Sequence, residues 1–325
     1  MRIRSAALMS VAVIGSLALA GCSGGADDSA DSSGEADNEL CAAAGATGDV
    51  VDGLNVEGTF DDGAPESIDV GEGVEPAAYE RTVSTEGDGE ELVEGDYLFY
   101  ASATYSLATG ELQDSAGYDG EDIAPTQVSA SADTAAIFGC ATVGSRIVTA
   151  YPASTDADGN QVDGLVQIID LVRVPAKKAW GEDVEPTAGM PTVELAENGE
   201  PTITLPDDLK VGDTTETAVL KQGDGAEVTA DSTAIVQYKG VKASDGTEFD
   251  SSWSRDAALA AFPISGVVEG FQNALIGQKV GSQVIAVIPK AEGYHVEGGE
   301  DNELYDEDLI FVVDIVDVYT PAATE

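Results

Sequence analysis

Positive charge is what this 325-residue chain has least of: 14 lysines and arginines stand against 61 aspartates and glutamates, a formal net charge of −47. Nucleic-acid binding is excluded on that ground, because phosphate contacts need basic side chains to displace counterions. Peripheral adhesion to an anionic lipid surface is disfavoured for the same reason. A single histidine, His295, and three cysteines leave no set from which a Cys/His zinc cluster could be assembled, and no metal is expected. No apolar run reaches the roughly 20 residues that a membrane-spanning helix needs. The longest, Ala6 to Ala20, follows the basic start Met1-Arg2-Ile3-Arg4 and reads as a signal peptide over residues 1–21.

The length exceeds one ordinary domain, since typical domains hold about 100–150 residues. Ser23 to Leu40 is made of small and acidic residues, too poor in apolar surface to offset the entropy of ordering, so 22–46 is expected to be a disordered acidic tether. Leu19-Ala20-Gly21-Cys22 resembles the lipobox of bacterial lipoproteins, which implies a lipid on Cys22 and anchorage at the extracytoplasmic face of the cell membrane. Cys41 and Cys140 then remain. In an exported protein such a pair is read as a disulfide, with two free thiols as the alternative.

The remainder is organised around Ser244-Asp245-Gly246-Thr247-Glu248-Phe249-Asp250-Ser251-Ser252-Trp253-Ser254-Arg255, a turn followed by an aromatic ring, a carboxylate and two hydroxyls. A strand around Tyr238 precedes it. Phe262 to Ile264 follows as a short strand, and Val268 to Ile276 has apolar residues at helical spacing with Gly277 as its stop. Val284 to Ile288 and Leu309 to Val316 are nearly continuous apolar strands.

The order of these motifs resembles the FKBP-type peptidyl-prolyl isomerases over the last third of the chain. That resemblance implies an α+β fold in which an antiparallel sheet wraps a short helix. It implies isomerisation of X-Pro bonds without a cofactor, with Tyr238, Phe249, Asp250, Tyr294 and Phe311 catalytic. Phe262, Val267, Val268 and Phe271 would bind substrate together with Arg255, the expected ion partner of Asp250. Proline-containing polypeptides are the implied partners, with FK506-like macrolides as a further ligand class. Phe271 stands where the family commonly has tryptophan, the Ser265-Gly266-Val267 turn is shorter, and an acidic Val296 to Asp308 replaces an apolar loop. The rival reading, a non-catalytic peptide-binding or chaperone lipoprotein, would keep the cleft but not the rate enhancement.

An internal repeat is visible as well. Gly87-Asp88-Gly89, Gly110 and Asp114-Ser115 match Gly223-Asp224-Gly225, Gly246 and Asp250-Ser251 at one constant offset, so residues 47–176 are expected to be a second FKBP-like domain. Its aromatics are gone: Ser102, Gln113 and Gln167 take the places of Tyr238, Phe249 and Phe311. A linker over 177–197, containing Trp180, and an isomerase domain over 198–325 complete the expected organisation.

Overall fold

Valine, isoleucine and aromatic residues, whose shapes suit a pleated and half-buried surface, fall in short runs between glycine and aspartate turns, and they fold as sheet. The computed structural model describes residues 39–320 apart from 57, 72, 119–122, 132 and 156–158. The signal segment and Cys22 lie outside the described residues.

Helices α1 (Glu39–Ala43) and α2 (Asp49–Gly53) lead into the first sheet. Its strands are β1 (Glu80–Thr85), β2 (Tyr97–Ser106), β3 (Leu112–Ala116) and β4 (Thr126–Gln127), then, after helix α3 (Asp133–Phe138), β5 (Arg146–Tyr151). A small ribbon, β6 (Ser154–Thr155) with β7 (Gln161–Val162), precedes its last strand, β8 (Leu165–Arg173). The second sheet begins with β9 (Glu182–Asp183) and is followed in the chain by a separate hairpin, β10 (Thr192–Leu195) with β11 (Pro201–Thr204). It continues through β12 (Glu216–Gln222), β13 (Thr233–Lys242), β14 (Glu248–Ser251) and β15 (Ala260–Pro263). Helix α4 (Glu269–Leu275), β16 (Gln283–Ile288) and β17 (Leu309–Tyr319) finish it.

Both sheets are antiparallel and have the same order: β1-β5-β8-β2-β3 with β4 on β2, and β12-β16-β17-β13-β14 with β15 on β13 and β9 added at the β12 edge. The registers also coincide. Thr104 faces Asp114 and Gln167, as Gly240 faces Asp250 and Phe311, and each β2/β3 or β13/β14 ladder shifts at the next residue. Gly87 donates its N–H to Ser145 Oγ at 2.9 Å, and Gly223 donates to Ser282 Oγ at 2.9 Å. The fold is thus α+β and sheet-dominated.

The concave face of the second sheet holds α4 through Phe271, Ala274 and Leu275, whose spacing puts them on one side of the helix. The helix is shorter than its apolar span, because Val268 is extended at the N-cap and Gly277, at φ +83°, turns the chain away.

Two expected boundaries are corrected. The opposite face of the second sheet presents Val241, Ile285, Val287, Ile310 and Val312, and Met190, Val193, Ile203, Leu205, Leu209 and Val211 cover it. The 177–197 stretch is therefore no free linker: β9 joins the sheet, and hairpin β10/β11 straddles the expected domain start at 198. Leaving that apolar face in water would forfeit roughly 25 cal/mol per Å². Likewise the tether ends earlier than 46, since Glu39–Ala43 is helical, Leu40 is fully buried, and Cys41 is bonded to Cys140 with Cα atoms 4.7 Å apart.

Val50, Val51, Val56 and Val70 cover the first sheet in the same way, so each sheet is strapped by the segment that precedes it. A buried aspartate on each last strand helps pin the strap. Asp170 holds Arg146 at 2.7 Å, whose guanidinium donates to the carbonyls of Thr59 at 2.8 Å and Gly63 at 3.1 Å. Asp314 accepts from the Ala179 N–H at 2.9 Å and from Gln283 at 2.6 Å. Trp180, half-exposed, lays its ring over Gly281, where a Cβ would come within 2.8 Å of it.

Candidate active site

The concave face of the second sheet opens into a cavity of about 280 Å³. β13 contributes Tyr238, β14 Phe249 and Asp250, β15 Phe262 and β17 Phe311. Gly266, Val267 and Val268 approach from the turn before α4, Phe271 from α4 itself, and Tyr294 from the segment after β16. Nine of the ten expected catalytic and substrate-binding residues therefore share one cavity. Arg255 does not line it but contacts two residues that do, Tyr238 and Asp250.

The rings are packed edge to face, the arrangement that their quadrupoles favour. Phe311 lies 5.1 Å from Phe271 and 5.4 Å from Phe249, at interplanar angles of 80° and 88°. Phe262 lies 5.3 Å from Tyr238 and 5.8 Å from Phe271. Gly240 makes this possible: a Cβ there would stand 2.6 Å from Phe249 and 2.8 Å from Phe311.

One polar cluster interrupts the apolar wall. Tyr238 donates its hydroxyl to Asp250 at 2.5 Å and accepts from Arg255 at 2.7 Å, while Arg255 also pairs directly with Asp250. Burial, with the hydrogen bond to Asp250, pushes the Tyr238 phenol up to about 12, against the pull of Arg255. Burial and the Asp250 charge also raise Tyr294. Both phenols are consequently neutral hydrogen-bond donors at neutral pH.

The hydroxyls of the motif have a local job. Ser252 accepts the Tyr238 N–H on its Oγ at 2.9 Å and donates its own N–H to the Tyr238 carbonyl at 2.9 Å, clasping the strand that carries the ring. Beyond Arg255 the chain reverses through Asp256 and Ala257, at φ +56° and +54°, and Gln237 holds the Ala257 carbonyl at 2.6 Å. Non-glycine residues reach that region only where their surroundings over-determine it. His295 packs its ring 4.1 Å from Tyr305 and is not part of the cavity wall. Gly266 is the lining residue that sequence reasoning missed. Its place in the Ser265-Gly266-Val267 turn, next to a lining residue, is the signal that could have found it.

Residues 225–316 match the family described as FKBP-type peptidyl-prolyl cis-trans isomerase. The chain is 35% identical over 112 residues to a probable FK506-binding protein of Corynebacterium glutamicum, covering 34% of this chain and 93% of that protein. The chain belongs to the FKBP-type peptidyl-prolyl cis-trans isomerases. An FK506-binding protein of Streptomyces anulatus is 37% identical over 122 residues, covering 37% of this chain and 90% of its own. The crystal structure of FkpA from Escherichia coli shares 27% identity, covering 40% of this chain and 53% of its own, with a TM-score of 0.31. The FKBP match runs from just before β13 into β17, so every cavity residue of this isomerase lies inside it, and the first sheet lies outside it.

At the matching registers of the first sheet stand Ser102, Gln113 and Gln167, with Thr126 where β15 has Phe262. No ring occupies those four positions.

Proposed function

We propose that this FKBP-type isomerase accelerates X-Pro rotation in exported polypeptides by binding the twisted amide in the cavity of the second sheet. The observation that carries the reading is the box of five edge-to-face rings broken by a single carboxylate, which is itself held by Tyr238 and Arg255. Rotation about the bond crosses about 18–20 kcal/mol because the twisted amide loses its resonance. The twisted form is also less polar, so a water-poor site that accepts it in preference to the planar form lowers the barrier by differential binding. Phe271 forms the floor, while Tyr238, Phe249, Phe262, Val267, Val268 and Phe311 surround the proline ring. Tyr294 donates to the substrate carbonyl, with the Val268 amide nearby. Asp250, fixed by Arg255, orients the Tyr238 hydroxyl. A macrolide of the FK506 type would occupy the same apolar cavity, a reading supported by the names of the two relatives.

The first sheet is an FKBP-like repeat without isomerase activity of its own. Its order and registers support that kinship, and the polar residues at the ring positions support the loss, since hydrated amides and hydroxyls resist an apolar ring. Lipid on Cys22 anchors the protein at the outer face of the cell membrane. Cys22→Ser is expected to abolish incorporation of labelled fatty acid and release the protein into the soluble fraction, and retention of that variant in the membrane fraction would refute the anchor.

Catalysis is tested by refolding a proline-limited substrate protein with the full chain and with Phe249→Ala or Tyr294→Ala. Each variant should lose on the order of tenfold in kcat/KM, equivalent to about 1.4 kcal/mol. Suppressed aggregation without acceleration would instead assign the protein to peptide binding alone.

A further inference from the structure

The first sheet has no ring at the four matching positions, yet it packs behind β15, a strand that carries one ring of the second sheet's cavity. β15 is a four-residue strand whose one ladder partner is β13, with Ala234 opposite Phe262 and Ile235 opposite Ala261. Side chains alternate across a strand, so one face of β15 serves the cavity and the other faces away. Ala260 and Phe262 pack into the core beneath the cavity. Leu259 and Ala261 lie on the opposite face, in a second apolar cluster with Ile235, Val316 and Tyr319.

Two members of that second cluster come from the first sheet. Phe99 of β2 is buried in it, with its ring 6.0 Å from Tyr319 and edge-on to it. Arg173 caps Phe99 at 3.5 Å and pairs with Asp317 at 3.3 Å, tying the sheets together beside the same strand. Tyr97 packs against the same cluster as Ala261. Burial and the Tyr319 hydroxyl push its phenol up, against the pull of the Ala261 backbone amide. Residue 261 is only an alanine, so little side chain separates that cluster from the backbone of β15. What stands behind a short strand with small side chains decides where that strand sits, since packed interiors transmit displacement rather than absorb it. The next residue along, Phe262, is a wall of the cavity and the edge-on neighbour of both Tyr238 and Phe271.

We infer that Tyr97 is a positioning residue for prolyl isomerisation: the catalytically silent first sheet holds β15 from behind and thereby sets the place of Phe262. This rests on Phe262 being a substrate-facing wall, and the experiment separates the two claims. It is a double-mutant cycle in the full chain, with kcat and KM measured on a short X-Pro peptide for Tyr97→Ala, Phe262→Ala and both together. Tyr97→Ala is expected to lower kcat/KM by about five- to tenfold, as a sub-ångström misplacement of a substrate contact does. Tyr97→Phe, which keeps the ring, should return turnover to within about twofold of the parent. In the Phe262→Ala background, removing Tyr97 should cost nothing further, because residues acting through one contact are non-additive. Proton resonances of Phe262, shifted by the Tyr238 and Phe271 rings, should move in Tyr97→Ala but not in Tyr97→Phe.

Additive losses, or full turnover by Tyr97→Ala beside an impaired Phe262→Ala, would overturn the inference while leaving the cavity assignment intact. Full turnover by Phe262→Ala would overturn the wall assignment, and the inference with it. If Tyr97→Ala does not fold, Tyr97→Leu, which keeps apolar bulk but no ring, takes its place in the cycle with the same two outcomes.

Discussion

Gly240→Val should leave the sheets paired and cut prolyl turnover by about a hundredfold, the loss that a displacement of roughly 1 Å at a reacting centre can cause. The position faces Phe311 across one ladder and Asp250 across the other, and it has no side chain because two rings occupy the space in front of it. A Cβ would meet Phe249 at 2.6 Å and Phe311 at 2.8 Å, below any contact that real Cβ atoms make. Both rings must move, and they are the pair that meets at 88°. A β-branched residue suits a strand, so the backbone has no reason to leave the ladder. Far-ultraviolet circular dichroism close to the parent, together with a collapsed kcat/KM, is the expected pair of readings. Turnover within about twofold of the parent would show that the packing of these two rings is dispensable. Gly240→Ala, with one carbon instead of three, should fall between the parent and valine.

The second large effect falls on stability. Cys41 and Cys140 are 99 residues apart in sequence, and closing a loop of about that length stabilises by about 4.7 kcal/mol in the chain-entropy treatment. Whole domains are stable by only about 5–15 kcal/mol. The protein with both cysteines replaced by serine is therefore expected to unfold its first sheet at a much lower urea concentration. The parent with dithiothreitol should behave as the double variant does. An unchanged midpoint in both would mean that the bond contributes nothing to the folded state.

Much of the ring box was legible in the sequence because each ring belongs to a short motif with its own turn: Phe249 after Asp245-Gly246, Phe271 ahead of Gly277, and Phe311 in a run of strand formers. The straps were not. Met190, Leu209 and Val211 stand among prolines, glycines and acids without a period, and the alternations Val193/Leu195 and Ile203/Leu205 span only two apolar residues each, too short to name a strand on their own. Their role appears only once the face they cover is known. Leu40 was hidden for a related reason, as one large apolar residue at the end of a long acidic stretch. The reversal at Asp256 and Ala257 gave little warning either: aspartate visits the left-handed region more readily than most residues, but alanine does not, and no glycine marks the turn. Tyr97 and Phe99 read as ordinary strand residues, since nothing local tells a strand that its outer neighbour is another sheet.

The order in which cover and sheet occur along the chain bears on how the protein reaches its native state. A strand run such as Leu309–Tyr319, rich in valine and isoleucine and broken only by Asp314 and Asp317, is the kind of segment that pairs with other chains while it waits for partners. In both halves the cover is translated first: residues 50–70 precede the first sheet, and residues 190–211 precede all but the short edge strand of the second. A growing chain thus presents each new sheet with a lid already made. The interval in which a bare apolar face could recruit a neighbour is limited to the time taken to close the ladder, rather than to synthesise another segment.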